Sequence, residues 1–500
     1  MKCLALFLCL CLLVSPTVAG TIWITPAITD NQILPTTLPP DNKSKTINVK
    51  ACKGEVLSLS FCVRTSKPEL VIVSTSVPWM EVRHVKCWWQ NTMFKYGEKK
   101  IGLVPELLLN DLDFVTVNNE TKTNTVREPI SDADNLQPAA LPKNWTQQYW
   151  VTIRVPDRES DTVLRRRIRI DQVSNKVSTS YISVHIQVLP FDLEKPKQEI
   201  AVYYRGFLEW RASQPTVVGS ENKNHEQFVA DLKNMKDHGI NNLLTYQPEW
   251  CPAETLKEVV SLRKETGIAV EPWYWTTQGV GWGPDEEIDY LKTQVRLLKD
   301  AVTLASVGVN DIYGYGKDEA TSGAISEQFP RWKNANSVGY KVFIAMYDPL
   351  VPALVKDKVN MALFHDPASI SVWHGYGVKS WYYGPTTYEQ SERIRKEYGF
   401  RIIREGWDGI SPYAYQHVMG NSVWDDMDHG YKDHAFTYPT LNTPVDTVQW
   451  EGFREAINDL RYAATLEKLG GTIPDDQDRD PDEVREEIIN SILEIMKGNH

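Results

Sequence analysis

The sequence predicts an α/β protein in which a (β/α)8 barrel is preceded by an N-terminal β-sandwich domain. Residues 21–195 contain short alternating or β-branched runs, such as "EVLSLSFCV" and "YISVHIQVLP", which are separated by turn residues. Residues 196–500 instead alternate eight strand-like runs with helical segments. Eight such units favour a closed barrel over a doubly wound sheet. A chain of 500 residues is long enough for both domains.

The predicted barrel strands follow one another in a regular order. They lie in "IAVYYRG", "INNLLTYQ", "IAVEPWYW", "DIYGYG", "KVFIAMYD", "VNMALFHD", "KSWYYG" and "GISPYAYQ". Most are followed by a helical segment that ends in glycine. No G-x-G-x-x-G motif follows the first strand, which weakens a dinucleotide-binding alternative. "VQWEGFREAINDLRYAATLEKLG" predicts the closing helix, and "DEVREEIINSILEIMKG" predicts a last helix outside the barrel.

The N-terminus has the pattern of a secretory signal peptide. In residues 1–20, Lys2 precedes an apolar run that ends in small residues. The run is short for a membrane span, and no other segment reaches about 18 apolar residues. We therefore expect a secreted, extracellular protein without membrane association after cleavage. Sequons at Asn42, Asn119 and Asn144 would then mark exposed loops that a glycosylating host modifies.

The cysteines suggest a disulfide rather than a metal site. Outside the signal peptide the chain has Cys52, Cys62, Cys87 and Cys251. In an oxidising compartment, Cys52 and Cys62 are the expected bridge because they flank one candidate strand pair. Whether Cys87 and Cys251 are free stays open. No spacing such as C-x-x-C or H-E-x-x-H appears, so we expect no metal and no cofactor.

Charge and aromatic content narrow the class of partner. The net charge is −11 and the pI is near 5.5, which argues against nucleic acid as a partner. The chain has 17 tryptophans and 22 tyrosines, and exposed aromatic faces suit sugar rings, although large cores would use them equally well. The aromatic content agrees with an oligosaccharide or a glycoconjugate as substrate and equally with large cores.

Two neighbouring acids, Asp318 and Glu319, follow the fourth predicted strand in "YGYGKDEA". In a barrel of this kind the active site lies at the C-terminal ends of the strands. Two close carboxylates do not ionise together easily, so one tends to keep its proton near neutral pH. A protonated acid beside a charged one is what glycosidic cleavage requires. A loop with two solvated acids is the structural alternative.

The spacing of this pair bears on the mechanism. Glycosidases with separated carboxylates take them from different strands, and Glu249, Glu271 and Asp348 are candidates for such a partner. An adjacent pair is too close to straddle a sugar in that way. It suits substrate-assisted catalysis, in which the 2-acetamido oxygen of the sugar attacks the anomeric carbon.

At these residues the chain resembles glycoside hydrolase family 123. The similar segments are "HVKCWWQ", "LVPELLLNDLDFVTVN" and "LQPAALPKNWTQQYWVTIRVP" in the first domain, and "VKSWYYG", "EGWDGISPYAYQ" and "YPTLNTPVDTVQWEGFREAINDLRYAATLEKL" in the barrel. The resemblance implies a β-sandwich joined to a (β/α)8 barrel. It also implies retaining hydrolysis of β-linked N-acetylgalactosamine, with Asp318 stabilising the acetamido nitrogen and Glu319 acting as general acid/base.

The chain departs from this family at three places. Ala320 follows the acid pair where the family usually has proline, and the eighth strand has Tyr413 and Tyr415 where it usually ends in tryptophan. "RESDTVLRR" replaces the usual Gly-Tyr-x-Gly turn after "IRVPD". These changes bear on which substrate the protein accepts and on whether it is active. The alternative function is therefore that of a carbohydrate-binding protein that has the same fold but weakened catalysis.

Other residues at the strand ends are candidates for substrate binding. Trp275 ends strand three and would stack on a sugar face, while Arg205 after strand one would bind a hydroxyl or an acidic substituent. Tyrosines in or after strands four, five, seven and eight would donate hydrogen bonds; these are Tyr315, Tyr347, Tyr383 and Tyr415. Each of these residues also fits a structural role. His365, His374 and the segment "MDHGYKDH" are interpreted as loop residues.

Overall fold

The computed structural model describes residues 20–92, 100–157, 162–211, 218–248, 251–279, 288–304, 310–387, 389–430 and 432–498. Residues 1–19 lie outside this set, so the signal peptide stays a prediction. No helix among the described residues combines the length and the apolar composition needed to cross a membrane.

The N-terminal part of the chain is a β-sandwich of two five-stranded sheets, in the orders β1-β3-β10-β5-β6 and β2-β12-β11-β4-β9. The strands are β1 (Thr21–Thr25), β2 (Thr46–Ala51), β3 (Val56–Arg64), β4 (Glu69–Thr75), β5 (Met80–Asn91), β6 (Ile101–Leu109), β7 (Val115–Asn118), β8 (Thr123–Val126), β9 (Ala139–Leu141), β10 (Thr146–Arg154), β11 (Val163–Val173) and β12 (Val177–Val188). β7 and β8 form a separate hairpin. The pairing is antiparallel except between β2 and β12. Alternate residues of both sheets, such as Phe61 and Ile168, form one buried core.

Eight parallel strands then close a barrel, as the sequence predicts. They are β13 (Glu199–Tyr204), β14 (Asn242–Thr245), β15 (Trp273–Gly279), β16 (Ile312–Tyr315), β17 (Tyr340–Ala345), β18 (Met361–Phe364), β19 (Lys379–Tyr382) and β20 (Gly409–Ile410). β20 pairs with β13 and completes the ring. Each strand coincides with one of the runs predicted from the sequence.

Helices surround this barrel. They are α1 (His225–Asp237), α2 (Ala253–Thr266), α3 (Ile288–Leu304), α4 (Ser322–Ile325), α5 (Phe329–Ser337), α6 (Val351–Val355), α7 (Ile370–Gly375), α8 (Ser391–Tyr398), α9 (Phe400–Glu405), α10 (Val448–Lys468) and α11 (Pro481–Gly498). Short two-residue ladders join Phe207–Leu208 to Asn222–Lys223, Gln416–His417 to His434–Ala435, and Thr437–Tyr438 to Val445–Asp446.

Strand alternation divides the barrel side chains into two layers. Tyr203 and Tyr274 belong to the layer inside the barrel, together with Tyr315 and Trp381. Their neighbours in sequence, such as Tyr204, pack outward against the helices. This division decides which aromatic residues reach the open end of the barrel.

The sandwich and the barrel share a buried interface. The Glu106 carboxylate of β6 is fully buried and accepts hydrogen bonds from Trp88 Nε1 at 2.7 Å and from Gln449 Nε2 of α10. Trp424, from the loop after β20, packs edge-on against Trp88 at 5.9 Å. A buried carboxylate is stable only with such partners, so this network ties the two parts of the molecule together.

The predicted Cys52–Cys62 disulfide is wrong, because both cysteines are free in the structure. Cys52 directly follows β2 and packs against Leu189 and Tyr462 at the contact with α10. Cys62 lies in the middle of β3, where it is paired in register with Trp23 and with β10. None of the four described cysteines forms a disulfide. Asn42, Asn119 and Asn144 are all exposed.

Candidate active site

The acid pair lies where strand β16 opens into the mouth of the barrel. Asp318 and Glu319 follow Tyr315 by three and four residues, and both side chains are exposed there. Glu319 has φ = 46°, a left-handed conformation that side chains other than glycine rarely adopt. Such a conformation persists only where the surroundings impose it, and it is concentrated at functional sites. The chain therefore bends between strand and loop at the two carboxylates.

Different tyrosines hold the two acids. The Tyr315 hydroxyl donates a hydrogen bond to Asp318 Oδ1. The Tyr383 hydroxyl donates to Glu319 Oε1 at 3.1 Å, and Tyr347 is also hydrogen-bonded to Glu319. The predicted site residues Tyr315, Tyr347 and Tyr383 thus meet the predicted acids. Because each carboxylate has its own donors, the two point to different places in the opening.

The surroundings of Glu319 favour its protonated form. Partial burial raises the pKa of this carboxyl group, and the neighbouring charge of Asp318 raises it further. The hydrogen bonds from Tyr347 and Tyr383 act in the opposite direction, because they stabilise the ionised form. The net direction is upward, as a group that donates a proton near neutral pH requires.

A second layer of rings supports these tyrosines. Tyr203 of β13 is hydrogen-bonded to Tyr315 behind Asp318. The His365 ring stacks on Tyr383 at 4.3 Å and on Tyr347 at 5.4 Å. Burial lowers the pKa of His365, which favours its neutral form. The sequence analysis missed Tyr203 and treated His365 as a loop residue, although each lies in or directly after a predicted strand.

Arg205 lies in the opposite wall of the opening. Its guanidinium group stands over the Tyr246 ring at 4.8 Å and donates to the Tyr413 hydroxyl at 3.3 Å. It also forms an ion pair with Glu221. The charge of Asp318 acts on both Tyr246 and Tyr413, which places this wall next to the acid pair. Tyr246 and Glu221 were not predicted from the sequence.

Two predicted substrate-binding residues do not reach the site. Trp275 is fully buried in the outer layer, and its Nε1 donates to the Gln247 carbonyl at 2.7 Å. Alternation points Tyr274, not Trp275, into the barrel. Tyr415 is also fully buried in the outer layer, and its hydroxyl donates to Asn234 Oδ1 at 3.1 Å. The predictions that Trp275 stacks on a sugar and that Tyr415 binds substrate are therefore wrong. Tyr413 occupies the place expected for Tyr415.

The two described candidates for a separated carboxylate partner, Glu271 and Asp348, each have a structural role. Glu271 precedes β15, at the N-terminal end of the barrel, and accepts a hydrogen bond from the Asn310 amide at 2.9 Å. That end is opposite to the acid pair. Asp348 accepts from the amides of Leu350 at 2.9 Å and Ser322 at 2.7 Å, and these bonds lower its pKa. Asp348 thus fastens two loops. Glu249 lies outside the described residues.

Within the described part of the chain, no group of histidines and acids with metal-ligand spacing lies at the strand ends. Among the described residues, one group has metal-ligand spacing: His238, Asp446 and Glu451. It lies between the sandwich and helices α1 and α10, and its carboxylates accept from Arg83 and Arg454. His374 forms a pair with Asp408 at 2.9 Å. In the segment 427–434, described apart from residue 431, Lys432 pairs with Glu389 and His434 packs near Tyr413.

Comparison with solved structures supports the fold. The chain superimposes on a family 123 glycoside hydrolase from Clostridium perfringens, described in connection with glycolipid glycan hydrolysis. The TM-score is 0.67 and the identity 12%, and the match covers 96% of this chain and 100% of that one. A β-glucuronidase from Ruminococcus gnavus matches with a TM-score of 0.33 and 11% identity, over 81% of this chain and 66% of that one. No protein-family model and no curated protein sequence matches the chain. The first of these comparisons shows the fold, a (β/α)8 barrel preceded by a β-sandwich.

Proposed function

We propose that this protein is a retaining glycoside hydrolase that cleaves β-linked N-acetylhexosamine, preferentially N-acetylgalactosamine, by substrate-assisted catalysis. One observation carries the proposal: two adjacent carboxylates, Asp318 and Glu319, lie at the open end of the barrel with separate tyrosine donors and unlike environments. The fold shared with a family 123 glycoside hydrolase supports the same reading.

The two acids take different roles in this mechanism. Glu319, whose pKa is raised, protonates the leaving oxygen and then deprotonates the attacking water. Asp318, held by Tyr315, accepts the acetamido N–H and stabilises the positive charge of the oxazolinium intermediate. The acetamido oxygen is the nucleophile, so two displacements at the anomeric carbon leave its configuration unchanged.

The tyrosine and arginine walls fit the binding of a sugar. Tyr347 is 57% exposed beside Glu319 and offers a hydroxyl and a ring edge to the substrate. Across the opening, Arg205 and Tyr413 are placed to meet ring hydroxyls. A site that hydrogen-bonds one sugar hydroxyl discriminates strongly against its epimer, and we assign the galacto preference to this wall.

A panel of chromogenic glycosides tests the proposal. We expect cleavage of the N-acetylgalactosaminide and loss of turnover by orders of magnitude on the galactoside, which lacks the internal nucleophile. Equal cleavage of both would favour a mechanism with a protein nucleophile, and cleavage of neither would favour a carbohydrate-binding protein. A fluorinated sugar that traps a covalent adduct on any carboxylate would refute substrate assistance.

Substitutions separate the two roles. Glu319→Gln should lose activity severely with an alcohol leaving group and mildly with an activated aryl leaving group. Asp318→Asn should lose it with both, because charge stabilisation is needed whatever leaves. Glu327→Gln changes an exposed glutamate in the turn between α4 and α5; it is the matched control and should retain activity. Equal loss for both leaving groups at both acids would contradict the assignment.

We also propose that the chain is secreted, with residues 1–20 as signal peptide, 21–195 as sandwich domain and 196–500 as catalytic domain. The apolar N-terminus and the exposure of Asn42, Asn119 and Asn144 support this. Mass spectrometry of the secreted protein gives the cleavage site and any glycans.

A further inference from the structure

A basic hollow of about 620 Å³ lies on the outside of the sandwich, away from the barrel opening. Six polar side chains line it: Arg165, Arg166, Arg167, His185, Ser76 and Ser183. No carboxylate is among the described residues that line it. In a chain of net charge −11, such a concentration of positive charge calls for an explanation.

The hollow exists because two neighbouring strands differ in length. β4 ends at Thr75, which is paired with Ile168 of β11. β11 extends further, to Val163, and over residues 163–167 its registered partner is β12 alone. Strand alternation places the Arg165 and Arg167 side chains on the outer face of the sheet, beside the place where β4 ends.

These arginines differ from others in the same strand. Arg169 forms an ion pair with Asp171 at 3.0 Å. Arg165, Arg166 and Arg167 form no ion pair with any described carboxylate. A surface arginine without a carboxylate partner keeps its guanidinium donors available for an anion.

Arg166 lies between the other two arginines in sequence but on the inner face of the sheet, where Leu164 and Ile168 are buried. Its Nη1 donates to the Arg165 carbonyl at 2.8 Å, and its guanidinium stands over the Trp79 ring at 5.3 Å. The guanidinium groups available to an anion on the outer face are therefore those of Arg165 and Arg167.

We propose that this hollow binds a sulfate or carboxylate substituent of an acidic polysaccharide. The guanidinium groups would form paired hydrogen bonds with the anionic oxygens. Tyr181, 45% exposed and under the Arg167 guanidinium at 5.7 Å, offers an aromatic face to a neighbouring sugar ring. The concave shape disfavours a flat bilayer, which would need a broader set of basic and apolar side chains.

This site would bind the anionic substituents of the polysaccharide, whereas the barrel would bind the sugar at the bond to be cleaved. The two are independent, because one lies on the sandwich and the other at the strand ends of the barrel. The inference does not rest on the proposed hydrolysis.

Binding of the intact protein to dextran sulfate, compared with uncharged dextran, tests the proposal by titration calorimetry, with polygalacturonate as the carboxylate probe. We expect binding of at least one acidic polymer and none of dextran. The double variant Arg165→Ala/Arg167→Ala should bind about tenfold or more weakly. Arg169→Ala is the matched control, because its charge is already paired in the same strand, and should bind like the wild type.

Two measurements on the wild type make the result independent of variant folding. Sodium sulfate should compete better than sodium chloride at equal ionic strength, because sulfate occupies the site whereas chloride mainly screens it. No binding of either acidic polymer at low salt would overturn the proposal. So would equal loss in the Arg169 variant, or arginine-dependent binding only to phosphatidylserine vesicles.

Discussion

Replacing Tyr383 by phenylalanine removes one hydroxyl from the acid pair and leaves the ring. In the wild type this hydroxyl donates to Glu319 Oε1 at 3.1 Å. The ring that stacks on His365 at 4.3 Å is retained in the variant. A hydrogen bond to a carboxylate favours its ionised form, so its loss should raise the pKa of Glu319 further.

The size of the shift follows from the geometry. A hydrogen bond to a charged group is worth about 1.5–3 kcal/mol when buried. Glu319 is exposed at the barrel opening and keeps its bond from Tyr347, so we expect less than half of that. This lost stabilisation of the ionised form should raise the pKa of Glu319 in the variant.

The assay is the pH profile of kcat/KM on an N-acetylgalactosaminide with an alcohol leaving group. In the proposed mechanism the protonated form of Glu319 is the active one, so its pKa determines the alkaline limb, which should move to higher pH in the variant. The control is Tyr382→Phe, since this neighbouring hydroxyl donates to Glu397 outside the barrel. An alkaline limb that stays in place, moves to lower pH, or moves equally in the control would refute the reasoning.

Three further outcomes are expected. Burial raises the pKa of Asp433 to about 7 in the folded protein, so ionisation of this group lowers the free energy of unfolding as the pH rises from about 4 to about 7. Asp433→Asn should therefore raise the urea midpoint at pH 8 but not at pH 4. Trp424→Ala, which removes a ring packed against Trp88, should lower the free energy of unfolding by about 3–5 kcal/mol, measured by urea denaturation. Alkylation in denaturant without reductant should label both Cys52 and Cys62; an unlabelled pair would contradict the structure.

The two kinds of domain pattern are visible in the sequence, but the buried contacts between the sandwich and the barrel are not. The change from alternating to β/α patterning after residue 195 is local and visible in sequence. The partners of Glu106 are not, because Gln449 lies 343 residues away. We therefore expect an isolated barrel to expose the apolar rings of Trp424 and Tyr438.

The overall charge of the chain was a poor guide to its surface. A net charge of −11 argued against nucleic acid as a partner, yet Arg165 and Arg167 of "LRRRIRI" line one hollow that has no carboxylate among its described lining residues. Net charge sums over the whole surface, whereas binding depends on local charge at about a Debye length, near 10 Å.

The sequence by itself determined the eight strands, the helices between them and the position of Asp318 and Glu319 after the fourth strand. These are local properties, because the alternation of apolar and polar residues and the position of a strand end depend on a few neighbouring residues. Only the tertiary structure decided which side of each strand faces the barrel. Trp275 and Tyr415 had the right residue type and the right distance along the chain, but they lie in the outer layer.

The same limit applies to Cys52 and Cys62: Cys52 comes directly after β2 of one sheet, and Cys62 lies in β3 of the other. A one-residue change of register moves a side chain to the opposite face of the sheet. Where the chain crosses from one sheet to the other, residues that are close in sequence become separated in space. Both depend on pairing between distant segments. For that reason the acid pair proposed for catalysis was predicted from the sequence, while Tyr203, Tyr246 and His365 around it were recognised only in the folded molecule.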